Sequence, residues 1–199
     1  MEFRDAARRR RMVRRYADRQ LPPGVIGEIA EMALHAPSAG FTQAVSLLIC
    51  ESEEARRRFW TAAWPAGGSS WLREMRMAPA LIQVWTSQQD YLERYAEADK
   101  GWTDRNPARW SAPYWWVDAG MASMLILLTA VDSGLSAAFF GIPADRITAV
   151  REAFVVPEDQ LSVGVISIGY RHPAESPSGS VIRRPRRSHH ELIRYERWE

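Results

Sequence analysis

Arg8 to Tyr16 reads RRRRMVRRY, six guanidinium groups within nine residues, and Arg183, Arg184, Arg186 and Arg187 form a second basic cluster near the other end of the chain. A guanidinium presents its donors as a rigid fork that matches phosphate or carboxylate, so clusters of this kind can bind an anionic ester. Between them lies APSAG, Ala36 to Gly40, a small-residue turn through which backbone N–H groups can approach a flat ligand. Together these features point to a phosphate site. Lys100 is the only lysine, however, so a general bias toward arginine explains the residue type equally well. A basic run by itself is most often a solvated face, and can also be a nucleic-acid arm or a localisation signal. Position along the chain has to carry the argument.

The remaining composition narrows the chemistry. The net charge is only +2 over 199 residues, which argues against general nucleic-acid binding. With 46% hydrophobic and 25% charged residues the chain is ordinary globular material, long enough for one domain with a sizeable core. Cys50 is the only cysteine, so an internal disulfide and a thiolate zinc cluster are both excluded, and its place in SLLIC predicts a buried, inert thiol. His35, His172, His189 and His190 form no metal motif; adjacent histidines cannot share one helical face. No Gly-rich dinucleotide turn or phosphate loop follows a predicted strand, and no nucleophile elbow is present. The N-terminus has no apolar signal core, and AGMASMLILLTAV, Ala119 to Val131, is too short to span a bilayer. A reduced, cytoplasmic protein with no membrane partner is expected.

The elements that must position the arginines follow from periodicity. Ile26, Ile29, Ala30 and Ala33 make the stripe of an amphipathic helix that opens after Pro22-Pro23 and stops before Pro37. AVSLLIC reads as a buried strand, SEEARRRFWTAA as a helix capped by Ser52, and PALIQVWTS as a second buried strand beyond a turn at Gly67-Gly68. From Gln88 to Pro113 the pattern is polar and aromatic, with at most one short helix near Tyr91 and Tyr95. Such a segment is usually a functional lid or an ordered insertion. YWWVDAGMASMLILLTAVDSG is apolar nearly all round and ends at Gly134, the signature of a central helix. LSAAFFGI, PADRITAVREAF and LSVGVISIGY add a strand, a helix and a strand, and the last thirty residues hold too little apolar material for a core of their own. Strands separated by helices indicate an α+β or α/β domain.

Over almost its full length the chain resembles the FMN-dependent nitroreductase family. Members carry Arg-Arg-Ser-Val-Arg-x-Phe/Tyr after a helix, where this chain has RRMVRRY, and Ala-Pro-Ser-x-x-Asn-x-Gln-Pro-Trp, where it has APSAGFTQAV. A central apolar helix closing on Gly-Leu-Gly is matched by SGLSAAFFGIP, the following strand by VISIGY with Pro173 beyond it, and the terminal Arg-Arg-Pro-Leu-x-Glu block by RRSHHELIRYERW. The resemblance implies an α+β nitroreductase-like fold with a central mixed, mostly antiparallel sheet flanked by helices. It implies a single domain over 1–199, with 86–113 as a lid-like insertion and 171–199 as an arm reaching across a homodimer.

The resemblance also implies roles for individual residues. Arg10, Arg11, Met12 and Arg14 fall on the N-terminal FMN contacts, with Arg10 and Arg14 nearest the phosphate or the ring edge. Pro37, Ser38 and Ala39 fall on the turn that packs on the isoalloxazine, commonly from the partner subunit. Phe140, Gly141 and Ile142 fall on the segment whose backbone lies near the flavin N5, and Arg184 and Arg186 on the C-terminal phosphate clamp. Phe41, Trp102, Trp110, Tyr114 and Trp115, with Trp116, are placed to wall the substrate side, as aromatic residues commonly do over an open flavin face. Arg8, Arg9 and Arg15 have no matched role. Met12 replaces the usual serine, Phe41 the usual asparagine, Ala44-Val45 the usual Pro-Trp, and Ser188-His189 the usual Pro-Leu; Gln43 is kept.

The activity implied is hydride or electron transfer from NAD(P)H through FMN to a small oxidant such as a nitroaromatic or quinone. No acid-base side chain is named as catalytic, because the cofactor carries the chemistry. Two other readings stay open: a flavin-fragmenting enzyme like dimethylbenzimidazole synthase, kept alive by Phe41 and the missing Pro-Trp, and a non-catalytic flavin- or nucleic-acid-binding protein that uses RRRRMVRR as its contact surface.

Overall fold

Four apolar runs assemble the sheet: β1 (Val45–Cys50), β2 (Ala80–Ser87), β3 (Ser136–Phe140) and β4 (Gln160–Gly169). In the computed structural model, which describes residues 1–66, 68, 70–176 and 180–198, they lie in the order β1-β2-β4-β3 and every neighbouring pair is antiparallel. β2 is buried from end to end. Alternation along the pleat sends Ala80, Ile82 and Val84 into one core and Leu81 and Trp85 into the other, which is why this strand reads as continuously apolar.

β1 departs from the expectation of a buried strand. It pairs only with β2, stands at an edge of the sheet, and leaves Ser46 and Ile49 exposed. Its apolar run still packs on both faces, Val45 and Leu47 against one core and Leu48 and Cys50 against the other, but at the edge only Cys50 is fully buried, which composition cannot foresee.

The helices, in chain order, are α1 (Phe3–Arg9), α2 (Val25–Ala33), α3 (Glu53–Ala63), α4 (Ser70–Met75), α5 (Gln88–Ala96), α6 (Tyr114–Asp132) and α7 (Ile147–Phe154); α8 (Ser180–Arg183) and α9 (His189–Leu192) lie in the tail. α2 buries Val25, Ile26, Ile29, Ala30 and Ala33, the stripe expected from its spacing, against α6 and one sheet face. α3 and α7 cover the other face through Phe59, Trp60 and Val150. Burying a side chain such as Ile26 or Ile126 contributes about 1.5–3 kcal/mol. α4 has no counterpart in the sequence reading, which has only a turn there. Gly67 of that turn lies outside the described residues, and Gly68 has φ +84°.

Two helix ends behave as their local sequence dictates. Ser52 Oγ accepts the Ala55 N–H at 3.1 Å at the start of α3, a cap of about 1 kcal/mol. At the end of α6, Gly134 has φ +72°, its N–H reaches Val131 O at 3.0 Å, and Leu135 N–H reaches Ala130 O at 2.8 Å. This double closure is a Schellman motif, and the left-handed residue it needs is the glycine.

α6 is long and apolar enough, by length and composition, to cross a membrane. It instead packs Ala119, Ala122, Ile126 and Ala130 into the core beside the sheet and α2, leaving Trp116, Val117, Met121 and Met124 exposed on its outer side.

The segment joining α1 to α2 is extended and is built into the sheet. Met12 forms a parallel bridge with Ala137 of β3, Val13 N–H donates to Ala137 O at 3.0 Å, and Tyr16 bridges Arg171 in the antiparallel sense. The Met12 bridge is the parallel component of a sheet whose four strands are otherwise antiparallel. Thr86 and Ser87 complete β2, so the irregular segment begins at Gln88, where Ser87 caps α5 by accepting Asp90 N–H.

Candidate functional site

The structure sorts the expected site residues into groups held by different elements. The first is anchored on β3. The bridge at Met12 lays the arginine segment along this strand, whose last residue is Phe140 and which delivers Gly141 and Ile142. Arg10 and Arg14 are partly buried and Arg11 is exposed. Arg11 donates to the backbone oxygens of Arg8 and Arg10, and Arg14 Nη1 to Met12 O at 3.4 Å. Among the described residues no carboxylate forms an ion pair with Arg10, Arg11 or Arg14, whereas Arg15 lies 3.5 Å from Glu74. Among the described residues these three guanidiniums form no ion pair and so leave donors free for an anion; the nearby Glu175 is engaged by main chain, its Oε1 accepting the Arg14 N–H at 3.2 Å.

Met12 turns its side chain inward. It packs against both core clusters, and its Sδ accepts the Phe139 N–H at 3.4 Å, so an approaching ligand meets the backbone here. Phe140 behaves likewise: its ring stacks on Trp60 with centroids 5.7 Å apart and planes at 2°. Gly141 is exposed, and a Cβ built on it would meet nothing within 4 Å, which keeps this stretch of main chain open to a flat partner.

The second group centres on the Ser38–Gln43 turn. Pro37 and Phe41 are exposed, Phe41 by 74%, while Ser38 and Ala39 are partly covered. Gly40, Phe41 and Gln43 all have positive φ, 63°, 56° and 56°. Ser38 Oγ accepts Gln43 N–H at 3.0 Å and Thr42 Oγ1 donates to Ala39 O at 2.6 Å, closing the turn on itself. Asp118 Oδ2 accepts both the Ala39 N–H and the Tyr91 hydroxyl at 2.7 Å, and Arg94 Nε donates to Gly40 O at 2.8 Å. Burial, and next the hydrogen bond to Asp118, push the Tyr91 phenol well above its ordinary range, so it remains a donor throughout the neutral region.

The aromatic residues of 88–115 pack around that turn. Trp110 lies 4.3 Å from Tyr95, 5.3 Å from Trp102, 5.5 Å from Tyr114 and 6.4 Å from Trp115, centroid to centroid. Trp115 is 7% exposed and belongs to a small core with Tyr91 and Ala44, so its side chain supports this cluster from inside; Trp102, Trp110 and Tyr114 are partly exposed at its surface.

The third group is the tail. Every described residue from 182 to 198 is exposed, Arg184 and Arg186 included. The expected arm starts pinned, with His172 N–H donating to Arg15 O at 3.0 Å and Glu175 Oε1 accepting Arg14 N–H at 3.2 Å. The side-chain hydrogen bonds of described residues 182–198 stay within that stretch, Ser188 with Glu191, Arg187 with Glu191, and Arg194 with His190 and Trp198. Within one chain, then, these two arginines are not joined to the N-terminal ones by any such contact. Concavities of about 310 Å³ between α3 and α7 and about 320 Å³ beside β1 and Val155 contain none of the residues assigned above.

Sequence reasoning missed Asp118, Tyr91 and Arg94. The available signal was Asp118 itself, an acid in the middle of an apolar run, which requires a partner if the helix is buried.

The model of the family described as the nitroreductase family matches residues 7–170, from the arginine run to the end of the VISIGY strand. The chain belongs to the nitroreductase family. A relative from Methanothermobacter thermautotrophicus, provisionally named an NADH dehydrogenase/NAD(P)H nitroreductase, is 29% identical over 192 residues, covering 95% of this chain and 86% of its own. Among solved structures, a protein of Exiguobacterium sibiricum, provisionally named a nitroreductase and in complex with FMN, superposes with a TM-score of 0.76 at 21% identity, over 98% of both chains. One from Bacillus subtilis gives 0.75 at 17% identity, over 97% of this chain and 98% of that one. These two likenesses establish a shared α+β fold. Family membership makes this nitroreductase-family chain an oxidoreductase.

Proposed function

We propose that this nitroreductase-family chain is an FMN-dependent NAD(P)H oxidoreductase that works as a homodimer and passes hydride to a small oxidant such as a nitroaromatic or quinone. The observation that carries the reading is the arginine segment built into the sheet beside β3, with the Arg10, Arg11 and Arg14 guanidiniums in no ion pair among the described residues and the open backbone of Gly141 at the end of the same strand. The FMN phosphate carries roughly two negative charges near neutral pH, which suits several guanidiniums. Each charge-assisted hydrogen bond contributes about 1.5–3 kcal/mol, enough in combination to hold the cofactor without a covalent link. The FMN-bound relative and the NAD(P)H nitroreductase name of another support the cofactor and the donor class.

When bound, FMN supplies the hydride chemistry. The protein's part is to neutralise the phosphate with Arg10 and Arg14, to offer main chain at Gly141 and the Ser38–Ala39 turn to the ring, and to restrict access with Phe41, Trp102, Trp110 and Tyr114. Dimerisation is supported by two surfaces that a lone chain leaves wet: the Trp116, Val117, Met121 and Met124 side of α6, and a tail exposing Ile182, Leu192, Ile193, Tyr195 and Trp198. A tail that wraps a partner can bring Arg184 and Arg186 to that partner's phosphate.

The deciding experiment is the visible spectrum of the purified protein before and after anaerobic NADPH or NADH, with light scattering on the same sample. Flavin bands that bleach, from a particle of twice the chain mass, are expected. Bands that persist reject the nicotinamide donor, and a flavin-bearing monomer rejects the dimer. A benzimidazole product after aerobic reduction replaces this reading with the flavin-fragmenting one.

A further inference from the structure

The Ser38–Gln43 turn holds two non-glycine residues, Phe41 and Gln43, in the left-handed region. Backbone of this kind persists only where its surroundings over-determine it. Here the surroundings are the 88–118 region. Asp118, 3% exposed, takes the Ala39 N–H on the same oxygen that takes the Tyr91 hydroxyl, both at 2.7 Å. Arg94 takes the Gly40 carbonyl on Nε at 2.8 Å while its terminal nitrogens fork onto Asp99 at 2.7 and 2.8 Å. The Tyr95 ring closes the remaining side, since a Cβ at Gly40 would stand 2.6 Å from it.

The turn is therefore gripped through one N–H and one C=O, by two side chains each fixed by a second partner. We propose that Asp118 and Arg94 are positioning residues for the cofactor-contacting turn, and that the aromatic segment 88–113 is a fixed buttress behind it. The proposal rests on the flavin reading for what the turn contacts. Neither side chain needs to touch the cofactor; each acts through the main chain of residues 39 and 40. Arginine is required at 94 because lysine cannot pair in a fork with Asp99 and also donate from Nε to Gly40. At 118 an asparagine oxygen can accept the same two donors, whereas leucine, similar in size, can accept neither.

The test uses the full-length protein with Asp118→Leu, Asp118→Asn and Arg94→Lys. Two quantities are read: FMN affinity with the band shape of the bound flavin, and amide exchange at Ala39. In Asp118→Leu and Arg94→Lys the dissociation constant is expected to rise about tenfold, on the order of one lost hydrogen bond, with altered flavin bands. Ala39 exchange should quicken in Asp118→Leu while the β2 and β4 amides stay protected, and Asp118→Asn should restore both readings. Should Asp118→Leu fail to fold, Arg94→Lys, altered at a partly exposed side chain, carries the test. Wild-type affinity and bands in Arg94→Lys and in any folded Asp118→Leu overturn the positioning role alone. Absence of FMN uptake by the unaltered chain overturns the flavin reading and with it this role.

Discussion

The Tyr16 hydroxyl meets Ser167 Oγ at 2.8 Å inside the protein, tying the end of the arginine segment to the C-terminal part of β4. The same hydroxyl lies 2.8 Å from Val13 O and 3.0 Å from Ser167 O, and Tyr16 is 2% exposed. Burial raises its pKa far above the ordinary phenol range, so it stays neutral and able to donate. Tyr16→Phe keeps the ring and strands these oxygens, at a cost of about 1–3 kcal/mol. The melting temperature is expected to fall by about 2–4 °C for each kcal/mol lost in a chain of this size. An unchanged melting curve would show that the hydroxyl anchors nothing.

Gly40→Ala tests the strained turn from inside. The position has φ +63° and no room for a Cβ against Tyr95. The left-handed conformation alone costs a residue with a Cβ about 1–2 kcal/mol, and the clash adds to it. The turn is expected to leave its conformation, lowering stability in urea by at least that amount and disturbing the tryptophan fluorescence of the neighbouring Trp102 and Trp110. Gly120→Ala is the control: a Cβ there meets nothing within 4 Å on a helix, so no loss is expected.

What could be read from the sequence was local. The stripe of α2, the Ser52 cap and the Gly134 closure depend on residues within a turn or two of each other, and all three are found in place. The edge position of β1 depends on which strands pair, which no short window contains. Asp118 stands 79 residues from Ala39 and 27 from Tyr91, so its role appears only once the chain has folded. Met12 is instructive in another way. Its replacement of the family's serine reads as a lost polar contact, yet its side chain fills the space between two core clusters and takes the Phe139 N–H on sulfur.

The arginines can be separated by their partners. Arg14→Gln removes a guanidinium that forms no ion pair among the described residues, and under the proposed function FMN affinity should fall about 10-fold to 150-fold, the equivalent of one charge-assisted hydrogen bond. Arg9→Gln, at an exposed position with no assigned contact, should leave affinity within about twofold, since loss of a distant surface charge is largely screened by salt. Fluorescence titration of FMN into the two apoproteins measures the difference. Equal losses in both would reduce the cluster to a diffuse positive field.

Acid should loosen the buttress through Asp99. The hydrogen bond from Arg94 holds the Asp99 carboxyl below its ordinary value, helped by the nearby charges of Arg94 and Lys100. A carboxyl whose pKa is lower folded than unfolded adds stability above its unfolded value, and that contribution disappears as pH falls through the folded value. The Arg94 fork should thus be intact at neutral pH, with its contribution starting to fall only below the ordinary aspartate range of about pH 4 and gone once the pH has passed the lowered folded value. Glu97, 3.0 Å from the same guanidinium, cannot replace the fork, because it meets only one of the two terminal nitrogens. Followed by NMR and expressed as protection against the intrinsic exchange rate at each pH, the Arg94 Nε–H should be protected at neutral pH and lose protection in acid in the wild type, and be little protected at either pH in Asp99→Asn. A matching pH profile in the variant would mean that Gly40, and not Asp99, holds the arginine in place.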